Sequence, residues 1–159
     1  MGVGKSAVGK SLSKRLLMQF SDIDKIIENT LKMSIQEIFK NKGELFFRKL
    51  EEKITLQEAK KKNVVISLGG GAFMSSKIRK ATFLNSKSFW LDLDIKLLEK
   101  RLIKSKNRPL LNNKNLGASL NKIYKERKST YATANYRIDC EKLTINLITN
   151  KIIKLYANS

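Results

Sequence analysis

Apolar positions recur along this chain in two rhythms. Val8, Leu12 and Leu16 are spaced by four, which predicts a helix opening just behind Ser6. Phe20-Ser21-Asp22 is a short segment ending in polar residues. Ser34 with Glu37 forms a capping-box pattern, predicting a helix that starts there and ends near Gly43. A second helix is expected over about residues 44 to 61, with Phe47, Leu50 and Ile54 facing inward. Val64-Val65-Ile66-Ser67-Leu68 is a continuous run rich in β-branched residues, the signature of a buried parallel strand, and Gly69-Gly70-Gly71 stops it. Ser88 to Leu91 reads as another strand, followed by a helix carrying Ile95, Leu98 and Leu102. A polar stretch over about 104 to 115 holds the one proline, Pro109. A helix over about 120 to 131, a last strand at 136 to 139 and an amphipathic helix with Ile145, Ile148, Ile152 and Leu155 complete the pattern. Strands alternating with helices predict a parallel sheet covered on both faces, with ligands at the strand ends.

Composition narrows the chemistry. A chain of 159 residues with 42% hydrophobic content suits one domain with a real core. No apolar run approaches the roughly 20 residues that cross a bilayer, and the first residues lack a signal-peptide layout. The expectation is a cytoplasmic protein without a membrane partner. Cys140 stands alone, so it forms no intramolecular disulfide. The absence of histidine excludes Ser-His and Cys-His nucleophile pairs and imidazole-bound zinc. Acid-base work falls to carboxylates, lysines or tyrosines, and any metal is a hard cation held by oxygen. The formal charge of +19 admits a polyanion partner, but the lysines are spread over every segment with no interleaved aromatics. The reading preferred is a solvated basic surface, with Lys60-Lys61-Lys62 at a helix end.

Met1-Gly2-Val3-Gly4-Lys5-Ser6 contains the end of the phosphate-loop pattern G-x-x-x-x-G-K-[ST]. Glycines there let backbone N–H groups curl around phosphate, the lysine reaches the β- and γ-phosphates, and the hydroxyl serves magnesium. Asp22 and Asp24 lie two apart and face one cleft if the chain is extended there; a turn followed by a helix cap is the plainer fate of such a pair. Gly69-Gly70-Gly71 at a strand end lets a ligand approach backbone closely. Arg48, beside Phe46 and Phe47, suits either a surface or a carboxylate clamp. Arg108 in the polar stretch suits a lid closing on a transferring phosphate, or an ordinary loop. Arg127 lies on a predicted helix.

Together these segments resemble shikimate kinase. The likeness runs from Gly2 to about Tyr136 through the loop, F-S-D-I-D-K-I-I-E, the S-I-Q-E-I-F to F-F-R segment, S-L-G-G-G, W-L-D, R-P-L-L and E-R-x-x-x-Y. The resemblance implies a three-layer α/β/α P-loop kinase formed by residues 1–159. Its substrate-binding region would cover about 22–62 and its lid about 104–115. It implies transfer of the ATP γ-phosphate to the 3-hydroxyl of shikimate by a monomer, with Mg2+ and with no nucleic acid. Gly2, Val3, Gly4, Lys5, Ser6, Ala7 and Arg108 would bind ATP. Asp24, Lys5 and Arg108 would be catalytic, Asp24 as base. Asp24, Arg48, Gly69, Gly70, Gly71 and Arg127 would bind shikimate. Ser6, and Asp22 through water, would hold the metal. Three features depart from the family: Ala7 replaces a common Thr or Ser, no aspartate ends the Val64–Leu68 run, and the strand and first glycine that feed the loop would fall before Met1. The last implies a chain that starts downstream of that strand. The alternatives are another small-molecule kinase acting on gluconate or a nucleoside monophosphate, an inactive N-terminally truncated homologue, or a basic nucleic-acid-binding module.

Overall fold

The computed structural model describes residues 2–103 and 116–158. Helix α1 (Lys5–Leu16) leads to strand β1 (Gln19–Asp22), helix α2 (Ile23–Leu31) and the long helix α3 (Ile35–Glu58). Strand β2 (Val64–Ser67), a single 3-10 turn (Ala72–Met74), α4 (Ser76–Asn85) and β3 (Phe89–Asp92) follow. The described chain closes with α5 (Ile95–Ile103), α6 (Leu116–Tyr131), β4 (Tyr136–Asp139) and α7 (Ile145–Ala157). Arg108 and the expected lid lie outside the described residues.

The capping box forms as the sequence predicts. The Glu37 carboxylate accepts from Ser34 N–H at 2.7 Å, and Glu37 N–H donates to Ser34 Oγ at 3.3 Å. Gly43, with φ 80 and ψ 166, breaks α3 where the first of two helices was expected to end. Such a backbone favours glycine. The second half of α3 stops at Glu58, and the exposed Lys60-Lys61-Lys62 lies just beyond its end. Helix α4 has no counterpart among the elements predicted from sequence. The Asp22/Asp24 pair also differs from the extended expectation. Asp22 ends β1 and caps α2, accepting from Lys25 N–H, while Asp24 lies inside the first helical turn.

Strands pair in parallel as two ladders: β1 with β2, Phe20 opposite Val65, and β3 with β4, Trp90 opposite Arg137. Two cores support them. Val3, Val8, Leu12, Ile138, Ile148 and Ile152 join α1, α7 and β4. Ile23, Ile27, Ile38, Phe47 and Ile54 lock α2 against α3. The first core holds the start of α1, and the second holds the helix that carries Arg48. The long helices thus set the site's side chains on rigid supports.

Candidate active site

Gly4 takes a left-handed conformation, φ 93, and turns the chain into α1. The first rung of that helix is Val8 N–H donating to Gly4 C=O at 3.0 Å. The amides of Lys5, Ser6 and Ala7 precede the ladder, so they are the groups a helix start directs at an anion. No acidic residue occupies this first turn. Gly2 packs so closely on Leu102 of α5 that a side chain would meet it at 3.0 Å.

Ser6 Oγ donates to Asp22 Oδ2 at 2.6 Å, joining the loop to the end of β1. A hydroxyl and a carboxylate at this distance form a hard-oxygen pair that fits a magnesium ion bridged by water. Two residues beyond Asp22, in the first turn of α2, Asp24 is partly buried. Burial holds its carboxyl above the ordinary value of 3.8, the Lys5 cation pulls it back down, and Asp22 and Glu28 push it further up. The lysine of the phosphate loop and this aspartate therefore feel each other's charge.

The glycine triplet carries no left-handed residue, and its reason is packing. A methyl at Gly69 would overlap a carboxylate oxygen of Glu51 and lie 2.8 Å from Asp24 Oδ1. A methyl at Gly71 would lie 2.5 Å from Arg48 Nη1. The space these glycines leave is used by the protein's own charged side chains. Gly70 supplies a carbonyl instead: Arg127 Nη1 donates to it at 2.7 Å, and the Tyr131 hydroxyl donates to it as well.

Arg48 is fixed from several sides. Its Nη1 donates to Glu51 at 2.7 Å, and its Nε and Nη2 donate to Glu44 at 3.2 and 3.1 Å. The guanidinium also sits 5.1 Å from the Phe47 ring centroid. Each terminal nitrogen keeps a second N–H. Arg48 and Arg127 face one pocket of about 370 Å³ that includes Gly71, Glu51 and Ser75. Its size falls in the range of small-molecule sites, and two guanidinium groups suit a carboxylate guest.

The structure thus gathers Asp24, Arg48, Gly69, Gly71 and Arg127 around one region, with Lys5, Ser6 and Asp22 adjoining it. Sequence reasoning missed Glu51, and it gave no role to Tyr131, the last residue of the E-R-x-x-x-Y segment. Glu51 is only 1% exposed, its Oε1 has no hydrogen-bond partner among the described residues, and burial holds its carboxyl above the ordinary range against the pull of Arg48. The available signal was its position four after the inward-facing Phe47, where a solvated charge does not belong. Tyr131 had a signal too, one helical turn after Arg127.

The family model described as shikimate kinase matches residues 1–157. A shikimate kinase of Bartonella henselae is 38% identical over 97% of this chain and 73% of its own length. One from Sulfurihydrogenibium is 38% identical over 96% of this chain and 91% of its own. Among solved structures, the Acinetobacter baumannii shikimate kinase in complex with shikimate superposes with a TM-score of 0.94 at 30% identity, over 99% of this chain and 89% of that one. The parallel strands, the phosphate loop at a helix start and these likenesses agree on a P-loop α/β kinase fold, and the chain belongs to the shikimate kinase family.

Proposed function

We propose that this chain transfers the γ-phosphoryl group of ATP to the 3-hydroxyl of shikimate. The observation that carries the reading is the single pocket faced by Arg48 and Arg127, next to a partly buried Asp24 within the field of Lys5. Arg48 and Arg127 bind the acceptor's carboxylate through charge-assisted hydrogen bonds. Gly69 leaves room for Glu51 and Asp24, and Gly71 leaves room for Arg48, which lines the pocket together with Glu51. Asp24 accepts the proton of the 3-hydroxyl, whose oxygen bonds to the γ-phosphorus as the bond to ADP breaks. A carboxylate held above its ordinary value is a stronger base for that transfer.

Lys5 and the amides of Val3, Gly4, Ser6 and Ala7 hold the phosphates, with Gly2 shaping the turn. Ser6, and Asp22 through water, hold Mg2+, which neutralises charge on the phosphates when bound. Residues 22–62 present the acceptor; the ATP-binding role expected of Arg108 falls outside the described residues. The reading treats the enzyme as a cytoplasmic monomer without nucleic-acid or membrane partners; among the described residues no helix is long and apolar enough to cross a membrane. The test is ADP release with Mg2+ and ATP over a panel of shikimate, gluconate and nucleoside monophosphates. Turnover with shikimate alone is expected, and turnover with another acceptor but not shikimate refutes the reading.

A further inference from the structure

Arg48 has two counter-ions of different character. Glu51, three residues on, has a side chain only 2% exposed and accepts from Nη1 at 2.7 Å. Glu44, four residues back on the same helix, has a side chain 57% exposed. It takes Nε and Nη2 together, at 3.2 and 3.1 Å, with the single oxygen Oε1. Nε and Nη2 form the side fork of the guanidinium, two parallel donors that match the two oxygens of a planar carboxylate. Well-formed bonds of this charge-assisted type run at about 2.7–2.9 Å. One oxygen shared by both donors therefore leaves the fork underused. An exposed pair at this helical spacing also holds weakly, because water solvates both partners and each long side chain gives up freedom. Gly43, φ 80, breaks α3 immediately before Glu44, so Glu44 opens the first turn of the helix half that carries Arg48. The free N–H groups of such a turn favour a carboxylate there even when it has left its arginine.

The charges around the pocket sharpen the contrast. Arg48 and Arg127 share its lining with Glu44, Glu51, Glu52 and Glu126. Glu52 is engaged by Lys77 at 2.9 Å, and Glu51 is packed in place. An anionic guest meets more carboxylates than guanidinium groups, and Glu44 is the carboxylate that both sits on the fork of Arg48 and stands open to water. We propose that Glu44 is an exchangeable counter-ion: the acceptor's carboxylate takes the Nε/Nη2 fork of Arg48, and the Glu44 side chain turns out into solvent. The inference rests on the reading of Arg48 as the carboxylate clamp. It makes Glu44 a specificity-determining residue, because a guest gains only the difference between its own hold on the fork and that of Glu44. A planar carboxylate, with two oxygens for two donors, gains from the exchange. A neutral hydroxyl offers no charge in place of the one it would remove, so it leaves Glu44 where it is.

The test measures dissociation constants for shikimate by calorimetry in the parent chain, Glu44→Gln, Glu44→Ala and Arg48→Lys. Glu44→Gln keeps the shape and removes the charge, while Glu44→Ala removes the whole contact. Both are expected to bind shikimate about two- to tenfold more tightly, the scale of an exposed ion pair that no longer competes. Acetate, a bare carboxylate displacing shikimate in the same titration, should gain in the same direction. Loosened packing around Arg48 would instead weaken both ligands. Arg48→Lys keeps a cation beside Glu51 but loses the fork, and is expected to weaken shikimate binding about tenfold or more. Unchanged affinity in Arg48→Lys removes the clamp, and the exchange with it. Weakened binding there, together with unchanged or weaker binding in either Glu44 variant, overturns the exchange alone.

Discussion

Replacing Gly71 by alanine isolates the role of Arg48. The backbone at Gly71, φ −103 and ψ −14, accepts any residue, so only the added methyl acts. That methyl would lie 2.5 Å from Nη1, 2.6 Å from Cζ and 2.7 Å from Nη2 of Arg48. Ordinary contacts begin near about 3.5 Å, so the guanidinium must retreat by about 1 Å. Glu51, with a side chain 2% exposed, cannot follow freely because it is packed on the opposite side against Gly69. The retreat therefore loosens a charge-assisted bond of 2.7 Å. Such bonds contribute about 1.5–3 kcal/mol, and a misplacement of about 1 Å at a positioning group can cost about 100-fold. Steady-state kinetics should show KM for shikimate rising about 10- to 100-fold, with KM for ATP unchanged. An unchanged KM for shikimate would refute the assignment of Arg48 as the carboxylate clamp.

Three further substitutions probe the site and its support. Asp24→Asn should lower kcat by about 100- to 10,000-fold while ATP binding, measured by calorimetry, persists. Burial holds the Asp24 carboxyl up, so its ionised form costs folding stability; that cost is absent below the ordinary value of 3.8 and grows as pH rises through the raised one. At neutral pH the Asn variant should melt no lower than the parent, and the acid limb of kcat/KM should lie above 3.8. Tyr131→Phe removes one of two donors to the Gly70 carbonyl, so KM for shikimate should rise several-fold, matching about 1 kcal/mol. Ser34→Ala removes the capping box ahead of α3 and should cost about 1 kcal/mol, a melting shift of about 2–4 °C, with kcat preserved.

Local rules made much of the fold legible. The Ser34/Glu37 pair marked a helix start, Gly43 its break, and the apolar run Val64–Leu68 a strand. Helix α4 was silent for a physical reason: of its ten residues only Ile78 is buried, while Phe83 and Leu84 are 73% and 68% exposed, so no apolar periodicity marks it. At the site, residue types pointed to phosphate and carboxylate chemistry, but their partners were not readable. Gly69 and Gly71 were read as room for a ligand, yet the room is taken by Glu51, Asp24 and Arg48, which arrive from other elements. The convergence of Arg127 and Tyr131 on Gly70 spans 57 and 61 residues, beyond any local pattern.

The central claim is that phosphate reaches one particular hydroxyl of shikimate. Phosphorus and proton NMR of the product formed with ATP and Mg2+ tests it most directly. The account predicts a single shikimate monophosphate with phosphorus coupled to the proton at carbon 3, and its loss in Asp24→Asn. Phosphate on another hydroxyl, or ATP consumed with shikimate left unmodified, would contradict it.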